Sequence, residues 1–343
     1  MKQSKTYISV NKYAPTDGKL YLYFKKVGIK KSDGFAVIDG REVYVIDGGK
    51  GDDEGMLNFL ISLREKWLGN QPDSAILEDE SAKLEIHIIV SHPHSDHIGI
   101  LPLILSDPRF CVLSMHAPER SYRSKDVPDA LPSLVASENK MNILLEHLHT
   151  YGHAACEICR LPYGKVYSIF LENSDTILEL YPSPFDWSED RASESEGYHF
   201  ISKFTSPTYK DKPELGYTNG ILNGNSLWVK IIKGNHVALI TGDQRDSDEI
   251  LGAMIRYYGE ENFRSDILKL PHHGEKNYCP YLLEVSEPKI TIFTAADGYQ
   301  TQETQVLCEE RGEVFHLCDG DLIFTLSDDG ITSEGILPRK QIQ

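Results

Sequence analysis

The chain has 343 residues with 40% hydrophobic and 25% charged side chains, a globular composition and long enough for one large core. Its 52 acidic residues outnumber its 35 basic ones, a formal charge of −17, so nothing general draws it to nucleic acid or anionic lipid. Its longest apolar runs, such as IGILPLIL, fall well short of the roughly 18 residues that a membrane span needs.

Strand-like pieces open the chain: KLYLYF, GFAVID and REVYVIDGG, rich in β-branched and aromatic residues and separated by glycine turns. EGMLNFLISLREKWLG follows with Met56, Leu57, Leu60, Leu63, Trp67 and Leu68 at helical spacing, and Gly69 stands where a C-cap belongs. The strand LEIHIIV then runs directly into SHPHSDHIG. Residues 101 to 160 read as mostly helical, so about 105–165 is expected to be a helical insertion. Strand signals return with KVYSIFLEN, TILELYPS and a hairpin, SLWVKII and HVALITGD, turning on Gly234-Asn235. A helix (SDEILGAMIRYYG), the strands DILKLPHHG and KITIFTAAD, a helix around Leu307 and a final hairpin, VFHLCDG with DLIFTLSDDGI, complete the chain. Strands and helices alternating in two blocks predict an α/β (α+β) architecture, two packed sheets with helices outside, as a single domain over 1–343. About 183–219 is polar throughout and is expected to be a loop or lid.

The dense cluster carries the chemistry. His92, His94, Asp96 and His97 place three imidazoles and a carboxylate within six positions after a buried strand. Imidazole nitrogens and carboxylate oxygens are the donors that zinc and similar divalent ions take. His92 and His94, two apart in extended backbone, can grip one ion, while Asp96 and His97 follow a turn and suit a second.

HPHSDHIG resembles the HxHxDH signature of the metallo-β-lactamase superfamily, whose fold is a four-layer αβ/βα sandwich with metals at one edge. VIDGG resembles its first motif, LITGDQ the motif with a bridging Asp, and LKLPHHGEKN the late His motif. The resemblance implies that Asp47 supports the site from behind, that Asp243 lies between two ions, and that one of His272 and His273 is a ligand. His273 is expected to be that ligand, with His272 touching substrate, because neighbours on an extended end point oppositely. The second half is most similar to the hydrolase domains of ComEC-type DNA-uptake proteins and their stand-alone relatives. This chain departs from the superfamily at the middle motif, where LNGNSLW offers Asn223 and Asn225 but no His. Asn is a weak zinc ligand, so the first site could draw in His116 or His199, or prefer manganese.

Two divalent ions, zinc foremost and manganese next, would acidify a water between them as the nucleophile of a phosphodiesterase or other phosphoesterase, with Asp96 orienting that water. A nuclease of the DNA-uptake type and a non-catalytic regulatory protein with a degenerate site are the alternatives. The expected partner is a small or polymeric phosphoester, with nucleic acid disfavoured by charge and no membrane. Six scattered cysteines and the lack of an apolar leader predict a cytoplasmic protein with reduced thiols. His149, His153, Cys156 and Cys159 could form a structural zinc site, but four ligands on one helix span too much length for a tetrahedron, and a packed core face is the expectation.

Overall fold

The computed structural model describes residues 17–339 apart from 29, 71–75, 77–78, 120–131, 152, 154, 173, 185–221, 245–247 and 276–279. The expected polar loop at 183–219 lies almost wholly outside the described residues, as does His199.

Two mixed sheets stack face to face. The first has eight strands: β1 (Leu20–Phe24), β2 (Gly34–Asp39), β3 (Glu42–Asp47), β4 (Leu84–Ile89), β5 (Phe110–Pro118), β6 (Glu157–Leu161), β14 (Leu322–Ser327) and β15 (Gly330–Gly335). Their spatial order is β15-β14-β1-β2-β3-β4-β5-β6, parallel from β3 to β6 and antiparallel elsewhere. The second has seven: β7 (Tyr167–Phe170), β8 (Thr176–Tyr181), β9 (Trp228–Lys233), β10 (His236–Ile240), β11 (Ile267–Lys269), β12 (Ile290–Phe293) and β13 (Glu313–His316). Here the order is β13-β12-β11-β10-β9-β8-β7, parallel from β10 to β13.

Strand alternation sends successive side chains to opposite faces, which accounts for the layers. Leu20, Leu22 and Phe24 of β1 meet Leu178, Leu180, Val229 and Ile231 of the second sheet in the central core. Tyr21 and Tyr23 face the other way, onto the helix α1 (Gly55–Leu68). The helices α2 (Ser95–Ile98), α3 (Leu101–Ser106) and α4 (Pro132–Thr150) lie on the same flank; Met141, Leu144 and Leu148 of α4 join its core. α5 (Ala253–Tyr258), α6 (Pro280–Ser286) and α7 (Gln302–Glu309) cover Trp228, Leu239 and Leu268 on the opposite flank. The layers are thus helix, sheet, sheet, helix, as expected.

Two readings need correction. The stretch 105–165 is not a helical insertion: its one long described helix, α4, connects two strands, β5 and β6, that continue the first sheet in parallel. Phe110–Pro118 is mostly buried, and apolar runs of that kind carry no period that separates strand from helix. The final hairpin is also displaced. β13 belongs to the second sheet and β14 to the first, and the hairpin is β14 with β15.

At the end of the sandwich remote from the histidine cluster, Lys233 of β9 is 3.3 Å from Asp39 Oδ2 of β2 and 2.6 Å from Asp175. Thr176 also donates to Asp39, which ties the two sheets together. No described helix is long and apolar enough to cross a membrane.

Candidate metal centre

The strand ends that define one edge of the sandwich deliver the site. His92, His94, Asp96 and His97 follow β4, Asp47 ends β3, Asp33 precedes β2, Asp243 follows β10, and Lys269 and His273 come at the end of β11. Backbone bonds seat the cluster: Gly48 N and Gly49 N both donate to His97 O, and Asp33 N donates to Asp96 O at 3.0 Å. Gly99 lets the α2 turn lie flat against the β3 loop; a Cβ there would sit 2.4 Å from both Gly51 N and Ser95 O.

Two groups of side chains converge. His92 Nε2 and His94 Nδ1 are 2.9 Å apart, so both aim at one point. In the second group, Asp243 Oδ2 lies 3.2 Å from His97 Nε2 and 3.0 Å from His273 Nε2, and Asp96 Oδ2 lies 3.5 Å from the same His273 nitrogen. The rings of His92 and His97 are 4.1 Å apart at their centroids, so the groups adjoin. Asp33, His97, Asp243 and His273 offer ligand atoms all within 4.8 Å of one another, and all four are buried. His97 Nε2, His273 Nε2 and Asp243 Oδ1 have no properly directed hydrogen-bond partner. Buried polar atoms left so are costly, and a divalent ion is the group that this donor set fits.

The imidazoles of the second group are held from behind. Asp47 Oδ2 is 2.8 Å from His97 Nδ1 and accepts from Ser91 Oγ at 2.6 Å, while Ser91 N donates to Asp47 Oδ1. Asp33 Oδ1 is 2.9 Å from His273 Nδ1, and Thr294 Oγ1 is 3.0 Å from the same atom. Partners of this kind fix the tautomer that leaves Nε2 open to a metal. Asp33 in turn pairs with Lys269, both fully buried, and Lys269 Nζ also donates to Thr241 O at 3.0 Å and lies 3.8 Å from Asp243 Oδ1.

Charge follows from these distances. Burial lowers His92 well below the ordinary imidazole range and His94 to about 4, so both present neutral rings. Burial acts the same way on His97 and His273, yet the carboxylates around them outweigh it. Asp243 and Asp47 raise His97 well above its usual value, and Asp243 and Asp33 raise His273 to about 10. Asp243 is held well below the carboxylate range against its burial by His273 and His97, and Asp33 is held low by Lys269 and His273.

His272 stands apart from its neighbour. Its side chain is 25% exposed, its ring centroid is 6.0 Å from that of His273, and its Nε2 is 3.5 Å from Lys31 Nζ. The two do diverge as expected, but not through an extended backbone: both adopt left-handed dihedrals, with φ of 49° and 62°. The middle segment also reaches the site. Leu227 N donates to Ser91 O, Asp243 N donates to Ser226 Oγ, and Asn223 and Asn225 are buried there. Asn225 Nδ2 donates to Glu119 O, whereas Asn223 Oδ1 has no hydrogen-bond partner. His116 does not join them: it lies in β5, 3.0 Å from Ser114 Oγ.

The cysteine-histidine set dissolves. α4 ends at Thr150, Cys159 lies in β6, and His153 is a core residue whose ring nitrogens meet Leu105 O at 2.9 Å and Val112 N at 3.3 Å. Asp33 and Lys269 are the residues that sequence reasoning missed. The presence of Lys269 in an otherwise apolar strand, ILKL, was the available signal.

No model of a known protein family matches the chain, and no curated protein does. Among solved structures it is similar to the metallo-β-lactamase fold protein YhfI from Bacillus subtilis, at 10% identity and a TM-score of 0.47, covering 90% of this chain and 99% of that one. A diphosphatase of the PhnP family matches at 16% identity and a TM-score of 0.44, over 90% and 98%. Zn(2+)-bound PqqB from Methylobacterium extorquens matches at 11% and 0.42, over 88% of each chain. Likeness at these levels concerns outline alone; the layers, strand order and side-chain cluster above are this chain's own.

Proposed function

We propose that this chain is a metal-dependent hydrolase acting on a small phosphoester, a phosphodiester before a monoester. One observation carries the reading: the histidine pair His92 and His94 adjoins a buried group of His97, Asp243 and His273, in which unpartnered nitrogens face a carboxylate between them. Divalent ions held there would polarise phosphoryl oxygens and acidify a water molecule. His92 and His94 would hold one ion; His97, Asp243, His273 and Asp96 the other. Asp47 and Asp33 keep the imidazoles of the second group aimed. Asp96, 20% exposed, stands at the opening, where its carboxylate would accept a hydrogen bond from the attacking water and orient it.

His272 and Lys31 sit together at the same opening, with Lys31 also 3.3 Å from Glu275. In this reading Lys31 pairs with an anionic oxygen and His272 delivers a proton to the leaving group. A net charge of −17 favours a small substrate over a polymer, against a DNA-uptake type of nuclease. Zinc suits the histidines, and manganese suits an oxygen donor at Asn223. The thiols and the charge fit a cytoplasmic setting.

Hydrolysis of a bis-aryl phosphodiester by protein loaded with zinc or manganese tests this, beside Asp96→Asn. Turnover that falls about 100-fold or more in the variant is expected. Two bound ions without turnover would redirect the search to carboxylic or thioester substrates. Fewer than one bound ion and no turnover would favour a regulatory binding protein.

A further inference from the structure

A second group of donor atoms lies beyond the first, at the neighbouring strand ends of the second sheet. A carboxylate oxygen of Asp297, a ring nitrogen of His316 and the sulfur of Cys318 lie within 4.8 Å of one another. Asp297 is in the turn after β12, His316 ends β13, and Cys318 follows two residues later. His316 is the informative member. It is 1% exposed, and neither of its ring nitrogens has a hydrogen-bond partner. Its ring lies flat on Phe293, with centroids 4.7 Å apart and planes within 2°, so packing fixes its direction. A buried imidazole with both nitrogens idle is expensive, and such a group calls for a ligand.

We propose that Asp297, His316 and Cys318 form a second metal site, separate from the first, for a borderline divalent cation such as zinc. One nitrogen, one sulfur and one oxygen make a donor set that zinc accepts, with bonds of about 2.0–2.3 Å. Tetrahedral bonds of that length put ligand atoms about 3.3–3.8 Å apart. Closing on an ion therefore takes a movement of about 1 Å, which Asp297 supplies from its exposed turn while His316 stays fixed. Asp319 Oδ1, 3.8 Å from Cys318 Sγ, is the nearest carboxylate for the fourth position.

Arg339 holds this place in the present structure. Its guanidinium reaches Asp297 at 2.7 Å, Asp319 at 2.8 Å and Cys318 Sγ at 3.2 Å. Arg339 is thus a tethered cation where a free one would sit, and an entering ion displaces it. An arginine clamp that merely fastens the last strand would account for the carboxylates, but it gives His316 nothing to bind.

Sulfur separates the two sites, because the first cluster contains none. Titration of the full chain with cobalt, followed by absorption, reads this directly. The expected result is a thiolate-to-cobalt band in the near ultraviolet whose final amplitude corresponds to one thiolate-bound cobalt per chain. Cys318→Ser removes it and leaves cobalt at the first cluster unchanged, and His316→Ala weakens it. Arg339→Ala tightens cobalt binding about tenfold, the equivalent of about 1.4 kcal/mol. Circular dichroism of Cys318→Ser, a near-isosteric change at a partly exposed position, guards against reading unfolding as loss of the site. No thiolate band in either the native protein or Arg339→Ala would overturn the proposal and leave the clamp as the whole account. A band that persists in Cys318→Ser would overturn it too, by assigning the thiolate to another cysteine.

Discussion

Lys269 is a cation with no exposed surface, and only its neighbours make that tolerable. Asp33 is the anion that pairs with it, and the same carboxylate steadies His273. Asp33→Asn should therefore do two things. It strands a buried ammonium, at a cost of about 3–5 kcal/mol that urea unfolding would report. It also slackens His273, weakening metal binding about 10–100-fold by calorimetry. Replacing Lys269 by Met in the same background should recover much of the stability and none of the affinity, which separates the two roles. Lys269 left one sequence signal, a lone charge in the apolar strand ILKL, but Asp33 left none. Asp33 reads as a turn residue in KSDG, and its partner His273 is 240 positions away. The sequence-adjacent candidate ligands His92, His94, Asp96 and His97 stood out because spacing alone brings them together. Asp33 depends on how β2 and β11 are juxtaposed, which no local pattern encodes.

At the scale of elements, the α2 turn shows how closely backbone packing sets the candidate ligands. Gly99→Ala would drive a methyl into the backbone of Gly51 and Ser95, so Asp96 and His97 must shift with it. The expected outcome is a lower melting temperature, equivalent to about 1–3 kcal/mol, with metal affinity falling as well. Strands β4 and β5 carry a different device. Ser114 Oγ bridges His87 Nδ1 at 2.8 Å and His116 Nε2 at 3.0 Å, and His87 stacks on Tyr44. Burial, helped by His116, pulls His87 down to about 4, and burial lowers His116 too. The unfolded chain therefore takes up these protons first. Their contribution to stability is complete above the ordinary imidazole value of about 6.5 and is lost as pH falls toward about 4. Urea midpoints should drop across that window, and His87→Phe, keeping the stack on Tyr44, should flatten the profile. The same two strands mark where sequence reading stopped. β5 and β6 are parallel strands inside a segment whose apolar runs and long α4 read as helix, and only the β4 pairing reveals their state.

The whole sandwich was legible in outline, because two blocks of alternating strands and helices can bury their apolar faces in few other ways. Which sheet each terminal strand would join was not, since Gly320 and its neighbours carry the chain from one sheet to the other without a distinctive signal. The site draws His92, His94, Asp96 and His97 from the first sheet and Asp243 and His273 from the second. Bound ions should therefore stabilise the fold as a whole, by about 2.7 kcal/mol at a hundredfold excess over Kd, and chelation should lower the melting point accordingly. The two sheets are fastened at opposite ends by different means. Asp39, Lys233 and Thr176 are covalently part of the chain and indifferent to a chelator, whereas the other edge, joined by Asp33 with Lys269 and by Leu227 N to Ser91 O, would be tightened further by an ion that can diffuse away. Chelation should thus loosen one end only. Amide exchange would speed up around His92, Asp243 and His273 and stay slow around Asp39, as in a clam shell with a permanent hinge and a removable clasp.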